Sequence, residues 1–318
     1  MCTAIKFGKR FFGRSLDFEK SFGEELVIVK RGAIRLLDSE NRYAMMGVGV
    51  ISSGEPLFFD GVNEWGLCCA ALNFPGYAVY SDNCNEGTAI PSSKLISFAL
   101  GLCRSVGEVR EMLGKICISG EFADEKTPPT PLHWMFADGR EAITVESVRE
   151  GLRVYENSIG VLTNAPDFNY HMTRLADFSA LQAENPDRCF THSPPYSRGM
   201  GAIGLPGDFS SSSRFVRATF IKENMREISG EKSSDISRLF GAFSSLEVPL
   251  GCVLTDEGES VLTRYTAVID MQSPAYYLTT SSCRTVMRLE LSDIDEDKGK
   301  IYSVPFYREE MILSLLDK

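Results

Sequence analysis

The chain begins Met1, Cys2, Thr3, and Cys2 is the residue with the greatest potential for chemistry. Once the initiator methionine is removed, Cys2 carries a thiol and a free α-amine in one residue. The unperturbed pKa values of these groups are about 8.5 and about 7.7–8.0, so both exchange protons near neutral pH. The amine can then take the thiol proton, directly or through a water molecule, and no histidine is needed. The first residues therefore predict a nucleophile that has its own base.

Two charged residues follow Cys2 at a spacing that can bring them back beside it. A strand from Cys2, a turn at Gly8-Lys9 and an antiparallel return strand would place Arg14 and Asp17 next to the thiol. A guanidinium there favours the thiolate, and a carboxylate can hold and orient the α-amine. Spacing alone equally allows a surface pair between residues three positions apart, so both interpretations stay open at this point.

Histidines and the remaining cysteines are the other residues with catalytic or metal-binding potential. There are three histidines, of which His133 lies in a strand-like segment, His171 in a predicted helix and His192 in a loop. An N-terminal cysteine needs none of them, and we expect His133 to be a satisfied core histidine. The nine cysteines include no CxxC pair, so a zinc-binding spacing is absent. Apart from Cys2 they are interpreted as small buried hydrophobic residues, and no metal or other cofactor is predicted.

The composition excludes several classes of protein. Of 318 residues, 43% are hydrophobic and 24% are charged, as in an ordinary globular protein. The net charge of −10 argues against nucleic acid as the main partner, because phosphate binding needs an excess of basic residues. No apolar run approaches the roughly 20 residues of a membrane-spanning helix. Lysine and arginine interrupt the first dozen residues, where a secretory signal would be apolar, so we expect a cytoplasmic protein.

The elements that must position Cys2 follow from the hydrophobic pattern. Short apolar runs between turn residues predict strands in the first 80 residues, again over 132–162, and again in the C-terminal third. Because short turns join neighbouring strands and helices arrive in groups, the order favours antiparallel sheets over a parallel α/β sheet. Two sheets packed face to face, with helices outside, satisfy this order in a single domain over residues 2–318. Helices are predicted over residues 93–103, 105–116, 168–181, from about 212 to 225, and 235–245.

Six motifs resemble those of the choloylglycine hydrolase family, which includes bile salt hydrolases and penicillin V acylases, and they occur in the family's order. The resemblance implies an α+β protein with the four-layer αββα fold of the N-terminal nucleophile (Ntn) hydrolases, in which two stacked, mainly antiparallel sheets are flanked by helices. It further implies that Met1 is removed and that the protein is a homotetramer. The motifs are MCTAI at 1–5, FGRSLD at 12–17, DGVNEWGL at 60–67 with LNFP at 72–75, LHWM at 132–135, GVLTNAP at 160–166, and GLPGDF at 204–209 with SRF at 213–215.

The resemblance also implies roles for individual residues. Taken alone, an asparagine before Phe-Pro or Ala-Pro is explained by turn chemistry. With the resemblance, Asn73 and Asn164 match positions that stabilise the oxyanion of amide hydrolysis, where each donor is typically worth a few kcal/mol. The complete catalytic set that the resemblance implies is Cys2 as nucleophile, Arg14 and Asp17 beside it, Asn73 and Asn164 at the oxyanion, and Arg214 in the surrounding network.

The substrate expectation comes from the same resemblance. Leu16 and Phe59 correspond to positions that face the substrate, and Asn73 favours bile salts because many penicillin V acylases have tyrosine at that position. We therefore expect hydrolysis of the amide bond in glycine- and taurine-conjugated bile acids, with no predicted preference between the two. The alternatives are a penicillin V acylase or another N-acyl amidase on the same scaffold and, last, a non-catalytic binding protein of the same fold.

Overall fold

The secondary structure is dominated by strands. A computed structural model describes residues 1–81, 87–125, 127–186, 197–226, 232–295, 298–312 and 314–315. The α-helices of the described residues are α1 (Leu95–Leu102), α2 (Val106–Leu113), α3 (Phe168–Arg174), α4 (Ser211–Asn224) and α5 (Lys232–Ser244). The strands are β1 (Cys2–Phe7), β2 (Phe11–Phe18), β3 (Glu25–Val29), β4 (Arg35–Leu36), β5 (Ser39–Glu40), β6 (Met45–Ser52), β7 (Glu55–Phe58), β8 (Asp60–Asn63), β9 (Cys68–Asn73), β10 (Thr88–Pro91), β11 (Ile116–Ser119), β12 (Leu132–Ala137), β13 (Ala142–Val148), β14 (Gly151–Glu156), β15 (Val161–Leu162), β16 (Val253–Leu254), β17 (Ser260–Asp270), β18 (Ala275–Thr280), β19 (Met287–Glu290) and β20 (Ile301–Val304).

Two large antiparallel sheets contain most of these strands. The first sheet has the order β15-β1-β2-β17-β18-β19, with β16 paired to β17. The second has the order β14-β13-β12-β9-β8-β6-β3-β20, with β7 paired to β6. Strands β10 and β11 form a small parallel pair. The N-terminal hairpin and the strands of the C-terminal third therefore meet in the first sheet, although they lie far apart in the sequence.

Two apolar clusters hold the sheets and helices together. One cluster joins α1 and α2 to a face of the second sheet, and it includes Leu95, Val106 and Trp134. The other runs from α4 and α5 through the first sheet to the second, and it includes Phe215 and Met135. Helices therefore cover the outer face of each sheet, which is the αββα arrangement that the sequence predicts.

Gly13 of β2 shows how closely α5 lies on the first sheet. A Cβ atom at this position would be 2.4 Å from a ring carbon of Phe243 in α5. That distance is far below van der Waals contact, so a larger residue would push α5 away from the sheet. Phe243 also packs edge-on against Phe7, with ring centroids 6.1 Å apart.

Most of the predicted elements are present with small shifts of their ends. Strands β1 and β2 form the predicted hairpin, with a turn at Gly8, whose φ of +55° suits glycine. The helix predicted over 168–181 is shorter, because α3 ends at Arg174 and Leu175–Phe178 form a 3₁₀ turn. That turn buries none of its side chains completely, and Leu175 packs against the core only in part, so packing gives a longer α-helix little support there. No helix of the described residues is long and apolar enough to cross a membrane.

The cysteines other than Cys2 only partly follow the expectation that they are buried. Cys252 is exposed, because it lies in the turn before β16, and Cys117 is disulfide-bonded. Cys84 and Cys189 lie outside the described residues. The four that are buried as predicted are Cys68, Cys69, Cys103 and Cys283.

Candidate active site

Cys2 lies at the start of β1, and its side chain is almost completely buried. The register of the hairpin pairs Cys2 with Leu16 and Ala4 with Arg14. Arg14 Nη2 donates a hydrogen bond to Cys2 Sγ at 3.2 Å. Burial raises the pKa of the Cys2 thiol, but the Arg14 guanidinium and the N-terminal amine outweigh burial, and the pKa lies below its ordinary value. The structure thus brings Arg14 to the thiol and favours the thiolate.

Other buried thiols show that this effect depends on the neighbouring charges. Cys68 and Cys69 in β9 are as buried as Cys2, and burial raises the pKa of both thiols well above the ordinary value. The Asp60 carboxylate raises them further. Burial alone therefore makes a cysteine inert, whereas the guanidinium beside Cys2 reverses the direction of the shift.

Arg14 is held between the sheets by an acidic group of the second sheet. Its Nη1 donates to Asp60 Oδ2 in β8 at 2.9 Å and to Tyr265 Oη in β17 at 2.8 Å. The Asp60 carboxylate also accepts hydrogen bonds from the hydroxyl groups of Tyr265 and of Tyr276, the latter at 2.6 Å. Burial opposes the charge of Arg14, but Tyr265, Cys2 and Asp60 hold its pKa well above the ordinary value. Arg14 is therefore a permanent cation of fixed orientation beside the thiol.

Asp17 lies against the chain terminus, and part of its carboxylate lacks a partner. Asp17 donates its backbone N–H to the Met1 carbonyl at 2.8 Å, and its own carbonyl accepts from the Met1 amine. Its side-chain Oδ1 accepts from Thr263 Oγ1 at 2.6 Å. Among the described residues, nothing donates a hydrogen bond to the buried Oδ2. A buried carboxylate oxygen normally accepts a hydrogen bond, so Asp17 Oδ2 can accept one from a donor that the hydrogen bonds described here do not include.

Asn164 follows β15, and its side chain connects the backbone of Cys2 to two other parts of the site. Its Oδ1 accepts from the Cys2 backbone N–H at 2.7 Å and from Arg214 Nη2, also at 2.7 Å. Its Nδ2 donates one hydrogen to the Asn73 carbonyl at 2.8 Å. An amide nitrogen carries two hydrogens, so the second Nδ2 hydrogen has no acceptor among the described residues.

Arg214 in α4 approaches Cys2 from the side opposite Arg14. Its Nη1 donates to the Cys2 carbonyl at 2.5 Å and to Thr3 Oγ1 at 2.7 Å, and its Nε donates to the Phe209 carbonyl at 3.0 Å. Burial lowers the pKa of Arg214, although Asp17 and Cys2 partly oppose that shift. Among the described residues, its hydrogen-bond acceptors are backbone carbonyls, a hydroxyl and an amide oxygen, and none is a carboxylate.

Comparison with known proteins identifies the family of this chain. The sequence profile of the linear amide C–N hydrolases, choloylglycine hydrolase family, matches residues 2–302. The chain belongs to this family.

Individual relatives agree with the family over the full length of the chain. The bile salt hydrolase/transferase of Lactiplantibacillus plantarum is 37% identical over 318 residues, which cover 97% of this chain and 98% of that protein. The bile salt hydrolase/transferase of Clostridium perfringens is 34% identical over 320 residues and 95% of each chain. The crystal structure of a mutant conjugated bile acid hydrolase from Clostridium perfringens superposes with a TM-score of 0.91 at 32% identity, covering 99% of this chain and 100% of that one. The protein is therefore a linear amide C–N hydrolase with the Ntn fold.

The other residues singled out from the sequence lie around the same site. Asn73 ends β9, and its contact with Asn164 is made by the backbone carbonyl, so its oxyanion role stays a prediction. Leu16 is buried opposite Cys2, and Phe59 is half-buried. The Phe59 ring lies 5.4 Å from that of Phe22, which lies 4.8 Å from that of Phe18. These three rings form an aromatic cluster beside the end of β2.

His133 and His171, the two histidines of the described residues, do not form a catalytic pair with the thiol. His133 is completely buried, with Nε2 at 2.8 Å from the Thr163 carbonyl and Nδ1 at 3.2 Å from Glu146, as expected for a satisfied core histidine. His171 contacts the backbone of Asn164. His192 lies outside the described residues.

Several residues of the network carry no role in the sequence-based hypothesis. Asp60 opens one of the recognised motifs, and an acidic residue at that place was the one available signal for the partner of Arg14. Thr263 and Tyr265 lie in β17 and Tyr276 lies in β18, where family motifs are sparse and the hydrophobic pattern predicts only strands. The missed residues are Asp60, His171, Ser211, Thr263, Tyr265 and Tyr276.

Proposed function

We propose that the protein hydrolyses conjugated bile acids at the amide bond that joins the steroid acid to glycine or taurine. The observation that carries the proposal is the 3.2 Å contact of Arg14 Nη2 with Cys2 Sγ, at the start of a chain whose relatives are named bile salt hydrolases. A thiolate at the first residue of an Ntn hydrolase attacks an amide carbonyl, and the substrate then depends on the surfaces around it.

The proposed mechanism starts with the removal of Met1, which converts the Cys2 N–H into a free amine. Asn164 Oδ1 already accepts from this nitrogen at 2.7 Å. The buried Asp17 Oδ2, which has no donor among the described residues, is the acceptor that an added ammonium hydrogen would satisfy. The amine would take the thiol proton and later deliver it to the departing amine of glycine or taurine.

Attack of the thiolate on the amide carbonyl forms the C–S bond and places a negative charge on the carbonyl oxygen. The free Nδ2 hydrogen of Asn164 is a donor for that oxyanion, and Asn73 is the second residue proposed there. Collapse of the tetrahedral species breaks the C–N bond, and the amine leaves with the proton. Water then attacks the thioester, gives up its proton to the Cys2 amine, and releases the bile acid and the thiol.

The aromatic cluster of Phe18, Phe22 and Phe59 follows Leu16, the strand partner of Cys2, and is the apolar surface proposed for the substrate. Burial of the rigid steroid on such surface is worth about 25 cal/mol per Å² of apolar area. The anionic tail would stay near solvent, because burial of an unpaired sulfonate or carboxylate is unfavourable. Selectivity should therefore follow the steroid more than the amino acid, so that both conjugates are cleaved.

Intact mass spectrometry of the purified protein tests the processing step. We expect a mass without Met1, together with loss of activity in proportion to alkylation of Cys2 by iodoacetamide. Asp17→Asn should impair turnover, because the amine loses its charged partner. Full activity in a protein that retains Met1 would contradict the mechanism.

A substrate panel tests the proposed reaction. We would measure kcat/KM for glycocholate, taurocholate and penicillin V, with Cys2→Ala as the inactive control that keeps the fold. Both conjugates should be cleaved faster than penicillin V, whose phenoxyacetyl body offers less apolar area. Penicillin V ahead of both conjugates would overturn the bile acid assignment and leave the Cys2 chemistry standing.

The proposal also includes a cytoplasmic homotetramer. The tetramer rests on the family resemblance, and light scattering of the eluted protein measures its mass directly. Cell fractionation followed by an activity assay tests the location.

A further inference from the structure

The main chain of Asn164 is held as firmly as its side chain. Its N–H donates to Ser211 Oγ at 2.9 Å, and its carbonyl accepts from His171 Nε2 and from Ser211 Oγ, both at 2.8 Å. Ser211 is the first residue of α4, and Arg214, which holds Asn164 Oδ1, lies one turn later on the same helix. The residue proposed to stabilise the oxyanion is therefore fixed through its backbone as well as its amide.

The chemical state of His171 follows from its neighbours. Nε2 faces a carbonyl oxygen, which can only accept, so Nε2 carries the hydrogen. Nδ1 is buried and has no hydrogen-bond partner among the described residues. Burial lowers the pKa of His171 to about 4, which keeps the ring neutral at ordinary pH. Because a neutral imidazole has one N–H, Nδ1 carries no hydrogen, and Nε2 donates to the Asn164 carbonyl at 2.8 Å, with Ser211 Oγ 3.4 Å from the same nitrogen.

Packing keeps the His171 ring in that orientation. The ring stacks on Phe215 of α4, with centroids 4.8 Å apart and planes 15° apart. Tyr170 meets it edge-on at 5.8 Å. Phe215 is completely buried, so the His171 ring rests on a rigid surface of the same helix that carries Ser211 and Arg214.

We propose that His171 is a positioning residue that, through its hydrogen bond to the Asn164 carbonyl, aims the Asn164 amide at the reacting carbonyl of the substrate. This inference rests on the oxyanion role proposed for Asn164. A rotation of the peptide after Asn164 would carry its Nδ2 away from Asn73 and its Oδ1 away from the Cys2 nitrogen. Misplacement of a catalytic group by about 1 Å can cost on the order of 10²-fold in rate, so the contact matters although His171 touches no reacting atom.

Two substitutions separate positioning from packing. His171→Phe keeps a flat ring on Phe215 and removes only the donor, since Nδ1 has no partner to lose. His171→Gln places an amide N–H near the position of Nε2 and restores the donor without the ring. Tyr170→Phe is the matched control, because it removes only the hydroxyl group of the ring next to His171 and leaves all contacts of Asn164 in place.

The first measurement is the steady-state kinetics of the processed enzyme with glycocholate, expressed per Cys2 titrated by iodoacetamide. We expect His171→Phe to lower kcat by about 10- to 100-fold with KM nearly unchanged, and His171→Gln to recover most of kcat. Tyr170→Phe should behave as the wild type. Equal losses in the Phe and Gln variants that follow their melting temperatures would show a merely structural role and overturn the proposal.

A second measurement does not depend on the substrate. Crystal structures of the variants should show the Asn164 amide displaced from the Asn73 carbonyl in His171→Phe and retained in His171→Gln. An undisturbed Asn164 in His171→Phe would refute the inference. If the wild type failed to cleave either conjugate, the proposed function would fall, whereas the two crystal structures would still decide the role of His171.

Discussion

Two buried arginines flank Cys2, and their surroundings differ. Arg14 lies between the two sheets, contacts the thiol and forms an ion pair with Asp60 at 2.9 Å. Arg214 belongs to α4, and its side chain contacts the Cys2 carbonyl and the Asn164 amide oxygen. The pKa of Arg14 is raised well above its ordinary value by Tyr265, Cys2 and Asp60 against burial, whereas burial lowers that of Arg214.

The difference separates two tasks that a nucleophile requires. The charge of Arg14 is compensated by Asp60 and the thiolate, so this arginine mainly sets how readily the thiol ionises. Arg214 donates its hydrogen bonds to neutral oxygen atoms, so it mainly fixes the positions of Cys2 and Asn164. An arginine suits both places, because its planar fork can serve several acceptors at once.

The largest effect is expected for Arg14→Met. Loss of the guanidinium should raise the pKa of the Cys2 thiol, so the thiolate fraction at neutral pH and kcat/KM should fall by up to about 10³-fold. The alkylation rate of Cys2, measured against pH, should have its midpoint moved to higher pH. Arg104→Met, on an exposed arginine of the surface, should leave that midpoint unchanged. If the midpoint of Arg14→Met did not move, the claim that Arg14 controls ionisation of the Cys2 thiol would be wrong.

Asn164→Ala should lower kcat by roughly 10²–10³-fold, because the proposed oxyanion donor is lost. The alkylation midpoint of Cys2 should move much less than in Arg14→Met, since Asn164 is uncharged and contacts the backbone of Cys2 rather than its thiol. Steady-state and alkylation kinetics on the same preparation test both statements. A rise in KM with kcat unchanged would reassign Asn164 to substrate binding.

Arg214→Lys should have a smaller effect, about 10-fold on kcat. The lysine ammonium keeps the charge. Its single nitrogen cannot donate at once to the Cys2 carbonyl, Thr3 Oγ1 and Asn164 Oδ1, as the guanidinium does. The thiol pKa should stay close to that of the wild type. A large shift of the alkylation midpoint in this variant would show that both arginines act through charge.

The smallest effect concerns Asp208, at the start of α4. Hydrogen bonds from Ser210 and Ser213 lower its pKa to about 2, from 3.8. A carboxylate whose pKa is lower in the folded state adds stability that is present above pH 3.8 and is lost as the pH falls through 2. Because Asp208 is exposed, we expect Asp208→Asn to lose less than about 1 kcal/mol at pH 7. Thermal unfolding of both proteins should converge between pH 4 and pH 2, and a constant difference would exclude ionisation as the cause.

Local sequence was sufficient for the elements whose pattern and turns agree. The hairpin of β1 and β2 needs only two apolar runs and a glycine with positive φ, and its register then places Arg14 near Cys2. A helix start at Ser105 was also predicted, and in the structure Ser105 Oγ caps α2 by accepting from the Glu108 backbone N–H at 3.3 Å. The end of α3 was not, because the sequence does not show that none of the side chains of residues 175–178 becomes fully buried.

The sequence by itself determined the family, and it predicted Cys2 as the nucleophile and the set of residues around it, because their types and order form motifs that can be read along the chain. The tertiary structure alone decided which groups hold those residues. Asp60 reaches Arg14 from the other sheet, Tyr265 from a strand 251 positions away, and His171 and Ser211 reach Asn164 from two helices. Strand register and the packing of the layers decide which residues become such partners, and the spacing of neighbouring residues along the chain predicts neither.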